Sequence, residues 1–520
     1  MSGWLREQSR TYFDNAQTAR DYRSGMRGNK GPLVFGLYLL ALIVAALMFY
    51  SQNTSQAMSV VEAQGTLRNF YRAVIGMLAA MVALITPALS ATAIVQERLR
   101  HSLDLVFSAP VPPKYLLVGK MLSAYRYTWM LLILSLPVTA ASVVLGGASW
   151  SDVLGAYVLL SAHALIFTSV ALFLGTLAPK PVSAILWSYG FVILYCSVTA
   201  MIGFASAFTR GFGGSSAGME ASWLATLNPF LVMETSASYT MVGTMEVPNI
   251  LFTIVFALLV SKLALLAAGA VLSPYGGKEV YGLRIHGLLY LAGLGAIASP
   301  GAMRIPGMAA DTDILAGMTL NWILLLLFPV LPFITCYGYE GERRYWPNGP
   351  FSIRRMLDGT PAGGLPFLIA SILAVAGGSA AASAYAGNAL GPTFLMYVAY
   401  ALGFWTFFWS IGRLASSALL GAKTARTSQF CVFVVIAFLP APFLASVISN
   451  DFAKSYVTLW DVWPLHALMS NDAAFAFKAA IVGFVMGVLG LILAFVSEIS
   501  LKRRLQESRG NTKHGLPTAA

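Results

Sequence analysis

The side chains that do covalent chemistry are scarce in this chain and poorly spaced for it. The five histidines, His101, His163, His286, His466 and His514, are scattered, with no Ser/His/Asp or H-E-x-x-H arrangement. Cys196, Cys336 and Cys431 each fall in or at the end of an apolar segment without metal-ligand spacing, so they read as inert thiols and no metal site is expected. A phosphate-binding loop requires G-x-x-x-x-G-K-[ST]. Gly119-Lys120 is followed by Met121 and lacks the earlier glycine, and Ala422-Lys423-Thr424 lacks the glycine before its lysine. The chain is therefore not expected to hydrolyse nucleotide or to act as an enzyme by itself.

Polar groups inside apolar stretches come next, because an ionisable group at membrane depth is costly and often functional. Lys262 lies within LFTIVFALLVSKLALLAAGAVL, about ten residues or roughly 15 Å from the inner end. It reads either as a substrate-path residue or as a lysine that snorkels toward the headgroups. His163 is either on that path or hydrogen-bonded between helices. Trp405 and Trp409, with Phe407 and Phe408, either line an apolar path or pack as an aromatic belt.

The stretch Glu97 to Lys120, ERLRHSLDLVFSAPVPPKYLLVGK, suits a mechanical contact instead. Laid on a helix, Leu99, Leu103, Val106 and Phe107 share one face, and Glu97, Arg100, His101, Asp104 and Ser108 the opposite one. Arg100 and Asp104 stand one turn apart, as an ion pair requires. Pro110, Pro112 and Pro113 stop that helix and permit a restart at Lys114. The expectation is a short surface helix, a rigid corner and a long helix entering the membrane.

The elements that must hold these residues follow from composition. Of 520 residues 58% are apolar and 10% charged, with mean hydropathy +0.72, against about 25% charged in soluble domains. The fold class expected is an all-α polytopic membrane protein of about twelve transmembrane helices in two degenerate six-helix halves. Spans are expected near 33–50, 71–95, 125–145, 153–177, 181–204, 249–272, 287–302, 314–337, 365–385, 393–414, 427–449 and 474–496. The domains are then an N-terminal interfacial elbow segment at 1–31, a first half at 32–280, a second at 281–500 and a basic tail at 501–520. No cleavable signal peptide is expected, since thirty polar residues with six Lys/Arg precede the first span. With the N-terminus inside, 26 of the 33 Lys/Arg fall on inner segments and six on outer ones, which favours cytoplasmic termini. The same distribution assigns the net charge of +12 to membrane topology rather than to nucleic acid.

The halves carry a faint parallel repeat. Glu97-Arg98 follows the second span and Glu342-Arg343 the eighth; Asn228-Pro229-Phe230 precedes the sixth and Trp463-Pro464-Leu465 the twelfth. The long outer connections, 205–248 and 450–473, suit short helices that dip into the outer leaflet, where irregular backbone must be covered by protein or face water.

The run ITPALSATAIVQER at 85–98, with Ser102-Leu103-Asp104-Leu105, Ser108-Ala109-Pro110 and Leu117-Val118-Gly119-Lys120, resembles the signature of type-2 ABC transporter permeases, the membrane subunits of ABC exporters. Ser102 stands for the usual Thr, and Ala109-Pro110 for Thr-Pro. The resemblance is good over about residues 15–200 and weak beyond 275, where the 340–350 stretch loses the Leu-Asp-Leu core and the Gly-Lys. It implies a coupling helix at 97–108 seated on a separate cytoplasmic ATPase dimer, with Glu97, Arg100, His101, Leu103, Asp104, Ser108 and Pro110 at or near that contact. It also implies ATP and Mg on the partner, no cofactor on this chain, a lipid bilayer of the plasma membrane as surroundings, and a second permease chain if one chain does not supply the whole membrane domain. Two rivals stand beside it. An ion-coupled secondary transporter needs paired charges at mid-membrane, and a non-transporting scaffold or assembly factor needs no ATPase.

Overall fold

The structure, a computed structural model, describes residues 15, 18–19, 30–54, 60–101, 103, 113–144, 147–213, 226–232, 238–242, 245–272, 277–297, 299, 303–304, 312–326, 356–357, 364–385, 387, 390–418 and 473–512. The chain divides into two compact units, Met1–Pro274 with Met303–Met308, and Tyr275–Ala302 with Ala309–Ala520. Among the described residues seven helices are long and apolar enough to cross a membrane. The chain is an all-α polytopic membrane protein; the span expected near 427–449 lies outside the described residues.

The first unit holds α1 (Lys30–Thr54), α2 (Val60–Leu99), α3 (Pro113–Val144), α4 (Trp150–Leu177), α5 (Pro181–Gly213) and α6 (Asn249–Leu272). Its core is α4, with 22 of 28 residues buried and α2, α3, α5 and α6 packed around it. A helix apolar on every side belongs inside a bundle. Both ends of α4 are closed. Ser149 and Asp152 form a capping box at its start, and the Arg98 guanidinium donates to the carbonyls of Thr176 and Ala178 at its finish. Those charges also match the helix dipole at each end. Near its last turn, a Cβ on Gly175 would collide with the Ala91 carbonyl, so glycine sets the α2–α4 approach.

Two prolines weaken the backbones around α4, and hydroxyls compensate. Pro87 lies inside α2, where Ser90 donates to the Thr86 carbonyl and the Thr86 hydroxyl meets that of Thr128 on α3, 3.2 Å away. Pro137 lies inside α3 between Ser135 and Thr139, and both hydroxyls bond the Tyr157 hydroxyl of α4 at 2.7 and 3.0 Å.

Where short helices were expected, the end of the 205–248 connection forms strands β1 (Tyr239–Val242) and β2 (Met245–Pro248), which pair with β3 (Met303–Arg304) from later in the chain in a three-stranded antiparallel sheet of order β2-β1-β3. Met241 pairs with Glu246 on one side and Arg304 on the other. Asn249 opens α6 by bonding Ser238 through both its backbone N–H and its side chain.

The second unit holds α7 (Gly277–Ile297), α8 (Thr312–Leu326), α9 (Gly364–Tyr385), α10 (Pro392–Ala418) and α11 (Ala473–Thr512). Here α7 packs on α9, and α10 on α8, α9 and α11. The α7 helix begins ten residues before the span expected at 287–302, and Arg284, expected in a loop, is a fully buried helical residue. Its guanidinium lies 5.2 Å over the Phe367 ring and donates to the Met356 carbonyl at 2.9 Å. The ring face and the carbonyl are two of the contacts that hold an arginine where periodicity alone asks for an apolar residue.

Candidate functional site

The Glu97–Lys120 region is built from four pieces of the first unit. The α2 helix does not stop before Glu97; it carries Glu97 and Arg98 in its last turn and ends at Leu99. The stop is set by His101, whose φ of 55° is left-handed, with its N–H donated to the Arg98 carbonyl. A continuous helix over 97–108 is thus interrupted at its first turn, so Glu97 and Leu99 do not belong to one helix with the residues after His101. Leu99, expected to pack inward, is exposed, whereas Leu103 is buried; Arg100 and His101 are exposed. Asp104, Ser108 and Pro110, with Val106 and Phe107, lie outside the described residues.

Glu97, expected to face a partner, turns into the protein instead. Its carboxylate pairs with the Lys120 ammonium at 2.5 Å, and both residues are buried. Lys120 stands two turns into α3, which begins at Pro113, earlier than the span expected from 125 because proline suits the first helical position. A buried charge is tolerable when neutralised, and Lys120 neutralises Glu97 across the proline corner. Next to it, Arg98 reaches α4 as described. On the far side of α3, the Asn15 side chain donates to the Tyr115 carbonyl at 2.9 Å and the Thr18 hydroxyl to the Gly119 carbonyl at 3.1 Å. Asn15 and Thr18 are both buried, and the Thr18 N–H bonds the Asn15 side chain. The connection between α2 and α3 is therefore rooted in α2, α3, the end of α4 and the 15–19 segment together.

A second polar cluster lies where residues 226–232 form a tight turn between α5 and α6, opening with a single 3-10 turn and buried over 226–229 and at Val232. Irregular backbone at such a place needs protein partners, and it has them. The Thr226 hydroxyl meets that of Thr253 on α6 at 2.5 Å, the Asn228 side chain donates to the Cys196 carbonyl of α5, and the Phe230 N–H bonds the Asn228 oxygen. His163, fully buried in the middle of α4, completes the ring of anchors. Its Nδ1 is 2.7 Å from the Leu159 carbonyl and its Nε2 2.9 Å from that of Leu227.

The remaining candidates lie on α6 and α10. Lys262 is half-buried on α6, nine residues past Thr253. Trp405 and Trp409 are buried on α10, and Trp405 meets Phe404 and Phe408 edge-on. They belong to the second unit, whereas His163 and Lys262 belong to the first. Cys196 is a free, half-buried thiol; Cys336 and Cys431 lie outside the described residues. No group of three metal-ligating side chains occurs among the described residues.

Lys120 was legible as a charge near the membrane but not as the partner of Glu97. Arg98, Asn15 and Thr18 carry no local pattern that marks them as anchors. The one available hint was that Glu97-Arg98 and Lys120 flank a proline corner between two apolar helices, which brings them near one another.

No protein-family model matches this chain, and no curated protein or solved structure matches it either.

Proposed function

We propose that this chain is the permease of an ABC exporter, a plasma-membrane subunit with both termini in the cytoplasm, driven by a separate ATPase dimer that binds ATP and Mg. The observation that carries the reading is the rooting of the 100–112 connection. A load applied between Arg100 and Pro112 acts on Leu99 and Pro113, and from there on every group tied to the Glu97–Lys120 pair. Arg98 passes it to α4 through Thr176 and Ala178, and Tyr115 and Gly119 pass it to the 15–19 segment. Such a connection moves several helices as one body, as a coupling element driven by another polypeptide must. The likeness of 85–120 to the exporter-permease signature supports the same assignment. In this reading Arg100, His101 and Asp104 meet the ATPase, while Glu97 holds the lever to its bundle.

Purification of the tagged chain from its native membrane tests this. The expected result is a stoichiometric ATPase whose ATP turnover falls in the Asp104→Ala chain. A chain that purifies alone and transports in liposomes on an ion gradient would contradict it.

A further inference from the structure

The surroundings of His163 make a demand that packing alone does not explain. Both ring nitrogens lie at hydrogen-bond distance from carbonyl oxygens, 2.7 Å from Leu159 and 2.9 Å from Leu227, in a site with no exposed surface. A carbonyl oxygen only accepts, and a neutral imidazole has one N–H. Both contacts are hydrogen bonds only when the ring carries two protons. With one proton, a nitrogen lone pair faces a carbonyl lone pair where no water relieves it. We infer that His163 is a proton-binding site whose doubly protonated ring fastens the 226–232 turn to α4. The neutral ring keeps one of the two bonds and holds the turn less firmly.

Among the described residues, the groups next to the ring are carbonyls and aromatic rings rather than charged side chains. From α5, Tyr195 faces His163 edge-on at 6.3 Å between ring centroids. The helices α3, α5 and α6 contain no carboxylate, nor does the 226–232 turn. On α2, Glu97 sits beside Arg98, which bonds the Thr176 carbonyl, thirteen residues or about 20 Å along α4 from His163. Asp152 is eleven residues the other way, about 16 Å. Lys262 is nine residues, roughly 13 Å, beyond Thr253, which bonds the same turn. Among the described residues, what favours a second proton on the ring is the pair of carbonyl dipoles, set against the cost of burying its charge. The sign follows: the second bond is present at acid pH and is lost as pH rises through the titration of the ring. The consequence falls on the turn, which is also tied to the α5 carbonyl of Cys196 and to α6, so a proton on His163 stiffens the α4–α5–α6 junction. This inference does not depend on the chain being a permease.

A chain in which His101, His286, His466 and His514 are replaced by Gln leaves one imidazole to observe. Its nitrogens, labelled and followed by NMR in lipid nanodiscs from about pH 8 down to the lowest pH at which the chain stays folded, should show one protonated nitrogen at the upper end and two at the acid end, below the range of an exposed imidazole. Over the same step, amide exchange across 226–232, corrected for its intrinsic pH dependence, should accelerate roughly tenfold, the loss of one hydrogen bond to a charged group. The step should vanish in His163→Gln. A ring singly protonated across the whole range, or a titration that leaves exchange across the turn unchanged, would overturn the proposal; the NMR measurement needs no change at His163.

Discussion

The two units hold their helices together differently. In the first, charged anchors gather at one end of the bundle, the Glu97–Lys120 pair and the Arg98 bonds to α4, with the Asn15 and Thr18 bonds to α3 beside them, while hydroxyl and imidazole contacts tie the helices elsewhere. In the second, the described polar contacts are dispersed. Ser299 bonds Ser383, Asp313 accepts from the Gly391 N–H, and Arg284 reaches Met356. Its closest approaches are made by glycine instead. A Cβ on Gly403 would strike the Gly483 carbonyl, one on Gly483 the Tyr400 backbone, and one on Gly490 that of Phe407. Glycine contact lets helices lie close without fixing which groups must pair, whereas a buried ion pair fixes register. The contrast teaches that charged pairing fixes the register of the helices at one end of the first unit, whereas glycine lets those of the second lie close; the proposed coupling role asks for the first arrangement.

The contrast can be broken in order of expected effect. Lys120→Met leaves the Glu97 carboxylate buried without its ammonium and should cost about 3–5 kcal/mol, read as a lower unfolding temperature in detergent. Adding Glu97→Leu should restore most of the loss, because two apolar groups replace the pair; equal losses in the single and double variants would remove the special status of this end. In the second unit Gly403→Ala should cost about 1–3 kcal/mol by forcing α10 from α11. Gly377→Ala, where a Cβ meets nothing within 4 Å, should stabilise by up to about 1 kcal/mol through helix propensity. An effect of similar size belongs to Ser149→Ala, about 1 kcal/mol of destabilisation from the loss of the α4 cap, and hydrogen exchange confined to the first turn of α4 would register it.

Much of the helical layout was legible in the sequence. Spans expected at 153–177, 249–272 and 365–385 correspond to α4, α6 and α9 within three residues at each end, because long apolar runs bounded by Ser149, Pro248 and Pro361 leave little choice. What hydropathy missed are pairings across distance. Lys120 finds Glu97 only once α2 and α3 stand side by side, and Arg98 reaches carbonyls some eighty residues on. Arg284 counted as a loop charge until the Phe367 ring and the Met356 carbonyl gave it somewhere to be buried. The helical face drawn over 97–108 failed at its first turn because periodicity carries no information about the left-handed backbone at His101.

The measurement closest to the central claim is ATP turnover by the purified complex carrying Arg100→Glu, a change at an exposed residue just beyond the last turn of α2. Turnover should fall severalfold while the unfolding temperature of the chain stays that of the unchanged protein. Unaltered turnover by a stably associated ATPase would show that the connection after α2 transmits nothing.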